Sequence, residues 1–462
     1  MRFACATTYF KERNIVQPLR KLLVAAAFTA TLVILPAFGG ASSLLFANTL
    51  CVNPGGTGGC YSSISAAVAA ASAYDTISVQ AGTYSEDVIV NKPVSIVGVN
   101  RASAIVDASG QANGFNIDGL DNPGLANVTI TGFTIQNANF EGVVITNATF
   151  VNVWGNSVVG NDKSLDVAGG TCPGLPSWET SEGEDCGEGI HLSGVDHSTI
   201  TSNNVEQNSG GILLSDELAA THDNLISYNS VYDNPYDCGI TLASHPPAPT
   251  RRLTASPVPG AGNPFGLSHN TIFANVSVHN GTAGPGGAGM GVFDSVPGAS
   301  NVGNVLVGNV SHDNGHPGIA MHSHTPGQTL TDNIIAGNLL YNNGADGGDA
   351  ATPGPTGINV YGVSPADGTI VSQNFIKDEQ VDVGVNTPTE VLVNLNNLYA
   401  TGLNYGVDNL GTGNVNATEN WWGCPGGPGS NGCSIYNGPN VLVAPWLTTL
   451  FTHLGASVLP GQ

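Results

Sequence analysis

Acidic and imidazole side chains recur at the ends of short strand-like segments in the middle of the chain. Six of them are the candidate catalytic groups: Asp216, Glu217, His245, Asp294, His322 and His324. Carboxyl groups can act as a general acid, a base or a nucleophile, and imidazoles transfer protons near neutral pH. These residue types predict proton-transfer chemistry, provided that the fold brings them to one face.

Cleavage of a glycosidic bond is the first reaction that such a set could catalyse. Hydrolysis needs two carboxyl groups that flank the bond, one as acid and the other as base or nucleophile. Asp216 or Glu217, paired with Asp294, is the candidate pair.

Abstraction of a sugar-ring proton, as in lyases and epimerases, is the second reaction. A neutral histidine such as His322, or Tyr361, would take the C5 proton of the sugar. Arg251, Arg252 or a cation would then neutralise the neighbouring carboxylate. The candidate substrate-binding residues are Phe293, Tyr361, Arg251 and Arg252.

Cation binding is a third use for such side chains. Glu184, Asp185 and Glu188 are the Ca²⁺ candidate, because hard cations prefer oxygen ligands, although EF-hand spacing is absent. Ca²⁺ is the one cofactor that the sequence suggests. His322 and His324 could hold a transition metal. Solvated surface side chains without a ligand are the alternative for both sets.

The elements that must position these side chains form a repeat. Six asparagine pairs share the spacing Asn-x-x-x-x-Asn, and a strand that begins with Gly and an apolar residue follows most of them: Asn156/Asn161, Asn203/Asn208, Asn229/Asn234, Asn275/Asn280, Asn309/Asn314 and Asn338/Asn343. Val, Ile and Thr are frequent, and helical periodicity is nearly absent. Stacked coils with hydrogen-bonded asparagines at their turns would produce this pattern. The sequence therefore predicts an all-β fold, a single-stranded right-handed parallel β-helix, rather than a sandwich or a propeller.

Alternation along the repeated strands predicts one outward face that carries the candidate residues. Glu217 and His245 would lie on adjacent coils, and His322 and His324 would point to the same side of one strand. Insertions flank this face at residues 171–188, 246–266, 281–288 and 344–356. Because loops on both sides of a strand face form walls, we expect a groove there. Simple tolerance of insertions on one side is the alternative.

The chain divides into four segments. Residues 1–41 have the basic, apolar and small-residue order of a signal peptide, with cleavage there or as late as residue 47, and an uncleaved anchor is the alternative. Residues 42–100 would form the N-terminal cap and first coils, with a capping helix over Ser62–Ala73 that begins at Ser62 or Ser63. Residues 101–419 would form the remaining coils, and residues 420–462 a C-terminal cap and tail.

Cysteine usage indicates an oxidising compartment. Three pairs are close in sequence and predict disulfides: Cys51 with Cys60, Cys172 with Cys186, and Cys424 with Cys433. The last pair would tie the C-terminal cap. Cys238 has no nearby partner and is interpreted as a buried small hydrophobe.

Two segments resemble known families. Residues 61–98 are similar to the N-terminal cap and first coils of the pectin-lyase-like superfamily, and the segment GTYSE at residues 82–86 resembles the start of pectin methylesterases. The central coils resemble the β-helix repeat proteins that include the periplasmic copper-enzyme maturation factor NosD. Together these resemblances cover most of residues 51–447 and imply the fold. They do not imply one activity, because the superfamily holds lyases, hydrolases, esterases, epimerases and adhesins.

The catalytic signatures of these families are missing. The Gln-Asp and Asp-Phe-x-Phe-Gly stretches of pectin methylesterases, the Gly-His-Gly of polygalacturonase-like hydrolases and the Asp-Pro-His of mannuronan epimerases are absent. The activity of any one family therefore does not carry over.

The net charge of the chain limits the classes of molecule that it can bind. The formal net charge is −23, and loss of residues 1–41 makes it −27 because that segment holds five basic residues and one acidic residue. Such a chain repels nucleic acid and anionic lipid, and a neutral polysaccharide is a better partner than a polyanionic one. We expect a monomer without a membrane span after signal removal, secreted or on the cell surface, with the periplasm as the alternative.

The leading functional hypothesis is a secreted β-helix protein that binds and cleaves an extracellular polysaccharide, as a glycoside hydrolase or a lyase. A non-catalytic, adhesin-like β-helix that binds glycan or protein is the alternative from another class. A periplasmic metal-handling protein is the third.

Overall fold

Most strands of this protein are short, because each coil turns a corner after a few residues. Many are three residues long, with a buried aliphatic side chain at the centre and flanking residues that point outward. Ile200, Val231 and Ile272 are examples of the buried central residue. Such residues cover an apolar core only when further coils stack above and below them.

The protein is described by a computed structural model over residues 47–180, 186–245, 265–284, 286–348, 352–400 and 404–452. These residues belong to one compact unit, Ala47–Gln462. The predicted signal peptide lies outside the described residues, as do the pairs Arg251/Arg252 and Glu184/Asp185.

Strands of the described residues form three long parallel sheets, named A, B and C, and a short sheet D. Sheet A contains Thr49–Val52, Thr76–Val79, Ser95–Gly98, Thr129–Thr131, Asn152–Trp154, Thr199–Thr201, Leu225–Ser227, Thr271–Phe273, Val305–Val307, Ile334–Ala336, Ile370–Ser372, Val391–Asn394, Val415–Asn416 and Val441–Leu442. Sheet B contains Gly82–Tyr84, Ala104–Asp107, Thr134–Gln136, Ser157–Val159, Asn204–Glu206, Ser230–Tyr232, Val276–Val278, Val310–His312, Leu339–Tyr341, Phe375–Lys377 and Asn397–Tyr399. Sheet C contains Val88–Val90, Phe115–Asp118, Val143–Thr146, Glu188–Ser193, Gly210–Ser215, Ile240–Ser244, Met290–Asp294, Ile319–Ser323, Thr356–Gly362, Val381–Asn386, Tyr405–Asn409 and Ile435–Asn437. Sheet D contains Thr221–His222, Leu267–Ser268, Ser300–Val302 and Thr329–Thr331.

The chain visits the sheets in a fixed order, A, then B, then C, and each strand pairs in parallel with the strand one coil away. In four coils a strand of sheet D follows sheet C before the chain returns to sheet A. The inward side chains merge into one continuous hydrophobic cluster that extends from Val52 to Cys433. This arrangement confirms the all-β, parallel β-helix that the sequence predicts.

Buried asparagines at the turns form ladders that run from coil to coil. Asn229 is typical: its side-chain amide donates to the Oδ1 atom of Asn275 at 3.0 Å and to the carbonyl oxygen of Ile200 at 2.9 Å, while its backbone N–H donates to the same Oδ1 atom at 3.0 Å. The predicted pairs fall into two such ladders, one after sheet A and one after sheet B. A third ladder, before sheet A, was not predicted and consists of Asn224, Asn270, Asn304 and Asn333.

Both ends of the hydrophobic core are covered. Helix α1, Ile64–Ala70, packs near the first strands, and the Ser63 side chain accepts a hydrogen bond from the backbone N–H of Ala66. The Glu86 carboxylate accepts two further N–H groups at the start of this helix, at 2.7 and 2.9 Å. At the other end Trp422 is fully buried in the core. The predicted helix is confirmed, with shorter bounds, and Ser63 is its N-cap.

The three predicted disulfides join Cys51 to Cys60, Cys172 to Cys186, and Cys424 to Cys433. Structural disulfides persist in oxidising compartments, so they place the folded chain outside the cytoplasm. In the part of the chain that the structure describes, no helix has both the length and the apolar character needed to cross a membrane.

Candidate functional site

Register along sheet C sets the position of each candidate side chain. Ala243, Phe293, His322 and Tyr361 are consecutive partners on four neighbouring coils, and Thr241, Gly291, Ala320 and Asn359 form the column beside them. These are the outward columns that alternation predicts. The structure differs in that several of these side chains are hidden from solvent: His322 is 1% exposed.

A cavity of about 520 Å³ lies on this face. Its floor is sheet C, with Leu213, Thr241, Ala243, Phe293, Ala320 and His322. One wall comes from the segments that follow sheet C strands and holds His245, Ser295 and His324. The other wall comes from the segments that precede those strands and holds Asp237, Cys238, Ala288, His316 and Asp346. A volume of this size is typical of sites for small molecules or for a few units of a polymer.

His322 lies at the centre of an aromatic group. Its ring centroid is 5.1 Å from that of Phe293, 5.9 Å from that of Tyr361 and 5.6 Å from that of His324. The Asn359 side-chain amide donates to its Nε2 atom at 3.1 Å. Because that nitrogen accepts, the ring has the neutral form with its proton on Nδ1 in this arrangement.

Hydrogen bonds to the Asp294 carbonyl oxygen and to the Gln328 side chain hold His324 at the edge of the cavity. Its Nδ1 atom donates to the carbonyl oxygen of Asp294 at 2.8 Å. The backbone N–H of His324 donates to the side chain of Gln328 at 2.6 Å, and this side chain also binds the Asp294 carbonyl oxygen at 2.8 Å. In a neutral ring with its proton on Nδ1, the lone pair is on Nε2.

The absence of a side chain at Gly291 leaves room for the Phe293 ring on the floor of the cavity. A Cβ atom at residue 291 would lie 2.1 Å from the Cε2 atom of Phe293, so the ring lies directly over the glycine. Any larger residue here would push the ring away from its present position.

Asp216 and Asp294 do not line the cavity. Both side chains are fully buried inside the coil, Asp294 as the last residue of its sheet C strand and Asp216 directly after its strand. Asp216 accepts hydrogen bonds from the Ser244 hydroxyl at 2.9 Å and from the backbone N–H of His245 at 2.6 Å, and Asp294 accepts one from Asn301 at 3.0 Å. Burial raises the pKa of Asp216 to about 6 and that of Asp294 to about 7. In this conformation neither carboxyl group can flank a substrate bond, so their role as the hydrolytic pair stays a prediction.

Glu217 is also buried, below the insertion at residues 171–188. Its carboxylate accepts hydrogen bonds from the backbone N–H of Thr180 at 2.6 Å and the hydroxyl of Ser215 at 2.8 Å. Although burial opposes ionisation, His191 and His245 hold the pKa of Glu217 down to about 2. Glu217 is therefore a buried anion that anchors the insertion, while its neighbour His245 reaches the cavity wall.

Two cavity residues were missed by the sequence reasoning: Asp237 and His316. They precede sheet C strands, in turns and insertions where strand alternation gives no direction. Their place next to insertions at the predicted groove was the available signal. Cys238 lies beside them, 4% exposed, and packs with Ala288 and Ala320, as expected of a buried small hydrophobe. Burial raises the pKa of its thiol well above the usual range, so it is not poised as a nucleophile.

The structure describes only one of the three residues of the Ca²⁺ candidate. Glu184 and Asp185 lie outside the described residues. Glu188, at the start of a sheet C strand, is 5% exposed and points into a group of buried acids around His191 rather than into solvent.

Residues 75–247 match the family model described as Periplasmic copper-binding protein (NosD). The matched segment ends before the strands that carry Phe293, His322 and Tyr361. Among curated proteins no match to the chain was found.

Solved structures with a similar fold include three carbohydrate-active enzymes. The A-module of the mannuronan C-5 epimerase AlgE6 from Azotobacter vinelandii is 14% identical, covering 83% of this chain and 93% of that one, with a TM-score of 0.50. The lidless DFA-IIIase from Arthrobacter chlorophenolicus A6 is 12% identical, covering 87% and 100%, with a TM-score of 0.47. The catalytic unit of the GH87 alpha-1,3-glucanase from Streptomyces thermodiastaticus is 13% identical, covering 83% and 66%, with a TM-score of 0.45.

At these identities the likeness to the epimerase module shows the fold alone. Together with the family match, it confirms the resemblance to pectin-lyase-like and NosD-like β-helix proteins that the sequence predicts. The activity has to be argued from the cavity itself.

Proposed function

We propose that this protein binds a neutral polysaccharide in the cavity on sheet C and cleaves it there. The observation that carries the proposal is the placement of proton-transfer groups on two opposed walls. Imidazoles of His245 and His324 occupy one wall, and the carboxyl groups of Asp237 and Asp346 occupy the other. Acid–base cleavage needs a proton donor on one side of a glycosidic bond and a base on the other.

The shape of the cavity suits a polymer that runs along the β-helix. Its floor extends over four coils, from Leu213 to His322, and coils repeat at about 4.8 Å. A chain that lies parallel to the long axis of the protein would pass between the two walls. Sugar units would then contact successive coils.

The floor of the cavity has the character of a sugar-binding surface. The Phe293 ring offers an apolar face, and Thr241 and His322 offer polar groups beside it. Sugars present apolar ring faces and polar edges, so aromatic and hydrogen-bonding side chains together suit them.

Charge favours a neutral substrate. Glu188, Asp237 and Asp346 line the cavity, and none of the lining residues in the described part of the chain is Lys or Arg. The net charge of −23 adds a repulsive field for polyanions. A uronate would need Arg251, Arg252 or a bound cation to offset its carboxylate.

A second candidate function is glycan binding without catalysis. The burial of Asp216, Glu217 and Asp294 favours it, because their internal hydrogen bonds give these carboxyl groups a structural role. In this case the cavity would be a recognition site on an adhesin-like β-helix.

The proposed setting is extracytoplasmic. The disulfides require an oxidising compartment, and we propose a monomer that is secreted or exposed at the cell surface, with the periplasm as the alternative suggested by the family match.

The test is incubation of the purified protein with a panel of neutral and acidic polysaccharides, with and without Ca²⁺. Reducing ends and the absorbance of unsaturated products are followed together. The variants His324→Ala and Asp346→Asn probe the two walls. His279→Ala is the matched control, because His279 is exposed and pairs with Asp233 at 2.6 Å on a turn after sheet B.

New reducing ends from a neutral glycan, lost in both wall variants and kept in His279→Ala, would support cleavage at this site. Unsaturated products would instead indicate a lyase and direct attention to His322 and Tyr361. Saturable binding without any product would favour the adhesin-like function. Activity that both wall variants retain would show that the cavity is not the active site.

A further inference from the structure

A second group of chemically capable side chains lies below the insertion at residues 171–188, next to the cavity, and one of its members, Glu188, also lines the cavity. It consists of Glu141, Glu179, Glu188 and His191. Their nearest ligand atoms all lie within 4.8 Å of one another. Glu141 precedes one sheet C strand, Glu188 and His191 belong to the next, and Glu179 reaches in from the insertion.

The imidazole of His191 is fully buried and its Nδ1 atom faces the three carboxylates. Nδ1 is 3.3 Å from Glu179 Oε1, 3.6 Å from Glu141 Oε1 and 3.8 Å from Glu188 Oε2. Nevertheless it has no hydrogen-bond partner. A buried nitrogen without a partner is costly, and it is rare in native proteins.

The opposite ring nitrogen of His191 carries a proton. Nε2 lies 2.9 Å from the Ser215 hydroxyl, and that hydroxyl donates its proton to Glu217 at 2.8 Å. The hydroxyl oxygen therefore accepts, and Nε2 carries the proton. If a metal ion takes the place of a second proton, the ring directs the lone pair of Nδ1 at that ion and the carboxylates. The Ser215 hydroxyl links Nε2 to the Glu217 carboxylate, and a hydrogen bond from the far nitrogen is the usual support for a metal-binding histidine.

Two carboxylate oxygens of the same group are also buried without a partner, Glu141 Oε1 and Glu179 Oε2. Glu141 is 1% exposed and the Glu179 side chain is 5% exposed. Several negative groups and a lone pair pointing at one another repel in a medium of low dielectric constant. A cation among them would satisfy all of these atoms at once.

We infer that Glu141, Glu179, Glu188 and His191 form a binding site for one divalent metal ion of the Zn²⁺ or Mn²⁺ class. One imidazole with three carboxylates suits these ions better than Ca²⁺, which prefers an all-oxygen set, or Cu⁺, which prefers sulfur. Four tetrahedral ligands at about 2.1 Å from an ion lie about 3.4 Å from one another, so side-chain rotations must draw the most distant of these atoms closer together. The inference is independent of any action on glycans.

The site would fasten the insertion to the β-helix. Glu179 is the ligand that the insertion supplies, and the Cys172–Cys186 disulfide closes the same loop. The Trp178 ring packs 5.8 Å from the ring of His191 and shields it. The metal ion would thus join the insertion to the segment that holds Glu141 and to the strand that follows the insertion.

Metal counting tests the inference. The full protein is stripped with a chelator and reloaded separately with Zn²⁺ or Mn²⁺, excess ion is removed, and bound metal per chain is measured by mass spectrometry. Affinity follows from competition with a chelating dye, and thermal unfolding is recorded with and without the ion. The variants are Glu141→Gln, which keeps the side-chain volume, and His191→Ala.

The matched control is His222→Ala. His222 belongs to the other metal-capable group of the described residues, with His197 and Asp223, and this group is at the surface. We expect one tightly held ion in the wild type and in His222→Ala, with an unfolding temperature about 3 °C higher at a hundredfold excess over the dissociation constant. Affinity should fall at least tenfold in both Glu141→Gln and His191→Ala.

Three results would overturn the inference: no stoichiometric ion in the wild type, unchanged affinity in Glu141→Gln, or loss of the ion in His222→Ala instead. The first would mean that a proton on Nδ1 is the cation of this cluster. If His191→Ala does not fold, Glu141→Gln decides the outcome, with its circular dichroism spectrum as the check of folding.

Discussion

His322 and Tyr361 are register partners on adjacent coils of sheet C, and their ring centroids lie 5.9 Å apart in an edge-to-face arrangement. His324 lies within 6.5 Å of the same tyrosine ring, so Tyr361 packs against both imidazoles. The Tyr361 ring therefore supports two residues that line the cavity, His322 and His324.

Replacing Tyr361 with Ala should therefore weaken glycan binding and any cleavage. Loss of the ring frees His322 and His324 to change rotamer, and aromatic packing of this kind contributes about 1 kcal/mol. We expect roughly a fivefold to tenfold loss of affinity by calorimetry. Tyr361→Phe keeps the ring and should stay within about threefold of the wild type. If Tyr361→Ala binds as the wild type does, the ring does not support the site.

Gly291→Ala should close part of the cavity without unfolding the protein. The added Cβ atom would meet the Phe293 ring at 2.1 Å, and this ring borders open space into which it can turn. We expect a change in unfolding temperature of at most about 2 °C and at least about a tenfold loss of glycan affinity. Gly384→Ala is the control, since a Cβ atom there would meet its neighbours at 3.6 Å or more and Gly384 does not line the cavity. Equal affinity in both variants would exclude the floor as the binding surface.

The fold was predictable because its signal repeats. The Asn156/Asn161 spacing recurs in later coils, and each copy makes the same bonds to the coil above it, so one local rule determines the whole β-helix. The ladder that starts at Asn224 was missed because the repeat was interpreted as pairs, although Asn224 precedes Asn229 by the same five residues that separate Asn229 from Asn234.

The sequence predicted the face of the β-helix that carries the site, but not which candidate side chains are buried there. Alternation places His322 and Tyr361 on the outward side of sheet C, and their register confirms that placement. Alternation cannot show what covers a face, so the burial of Glu217 below the insertion was not foreseen. Asp294 ends its strand and Asp216 directly follows one; both have the parity of the inward residues, and they bind neighbouring hydroxyl, amide and N–H groups inside the coil.

Asn275→Ala should destabilise the protein strongly. Asn275 is fully buried and its side chain bonds Asn229, Asn309 and the carbonyl oxygen of Ile226. Removing it leaves buried polar groups unpaired on both adjacent coils, at a cost of about 2–4 kcal/mol. Urea unfolding should show this loss. Asn204→Ala, at an outward position on sheet B, is the control and should change stability by less than about 0.5 kcal/mol.

The last rung of one ladder makes stability depend on pH. Glu379 occupies the position that asparagines hold in the preceding coils, 2% exposed, and accepts hydrogen bonds from the side chain of Asn343 at 2.9 Å and from its backbone N–H. Burial raises the pKa of Glu379 to about 8, from the ordinary value of 4.5. Between these two values the folded state retains a proton that the unfolded chain releases, so the free energy of unfolding falls as the pH rises.

Glu379→Gln should remove this dependence. An amide accepts the same hydrogen bonds through its oxygen and carries no charge at any pH. The variant should be more stable than the wild type by on the order of 3 kcal/mol at pH 7, while the two should converge below pH 4. Unfolding in urea between pH 4 and pH 9 measures the difference. The wild type should lose stability across this range more steeply than the variant, which retains the weaker, same-sign contribution of Asp294, whose pKa is about 7. Parallel curves for the two proteins would mean that Glu379 ionises in the folded state as readily as in the unfolded chain.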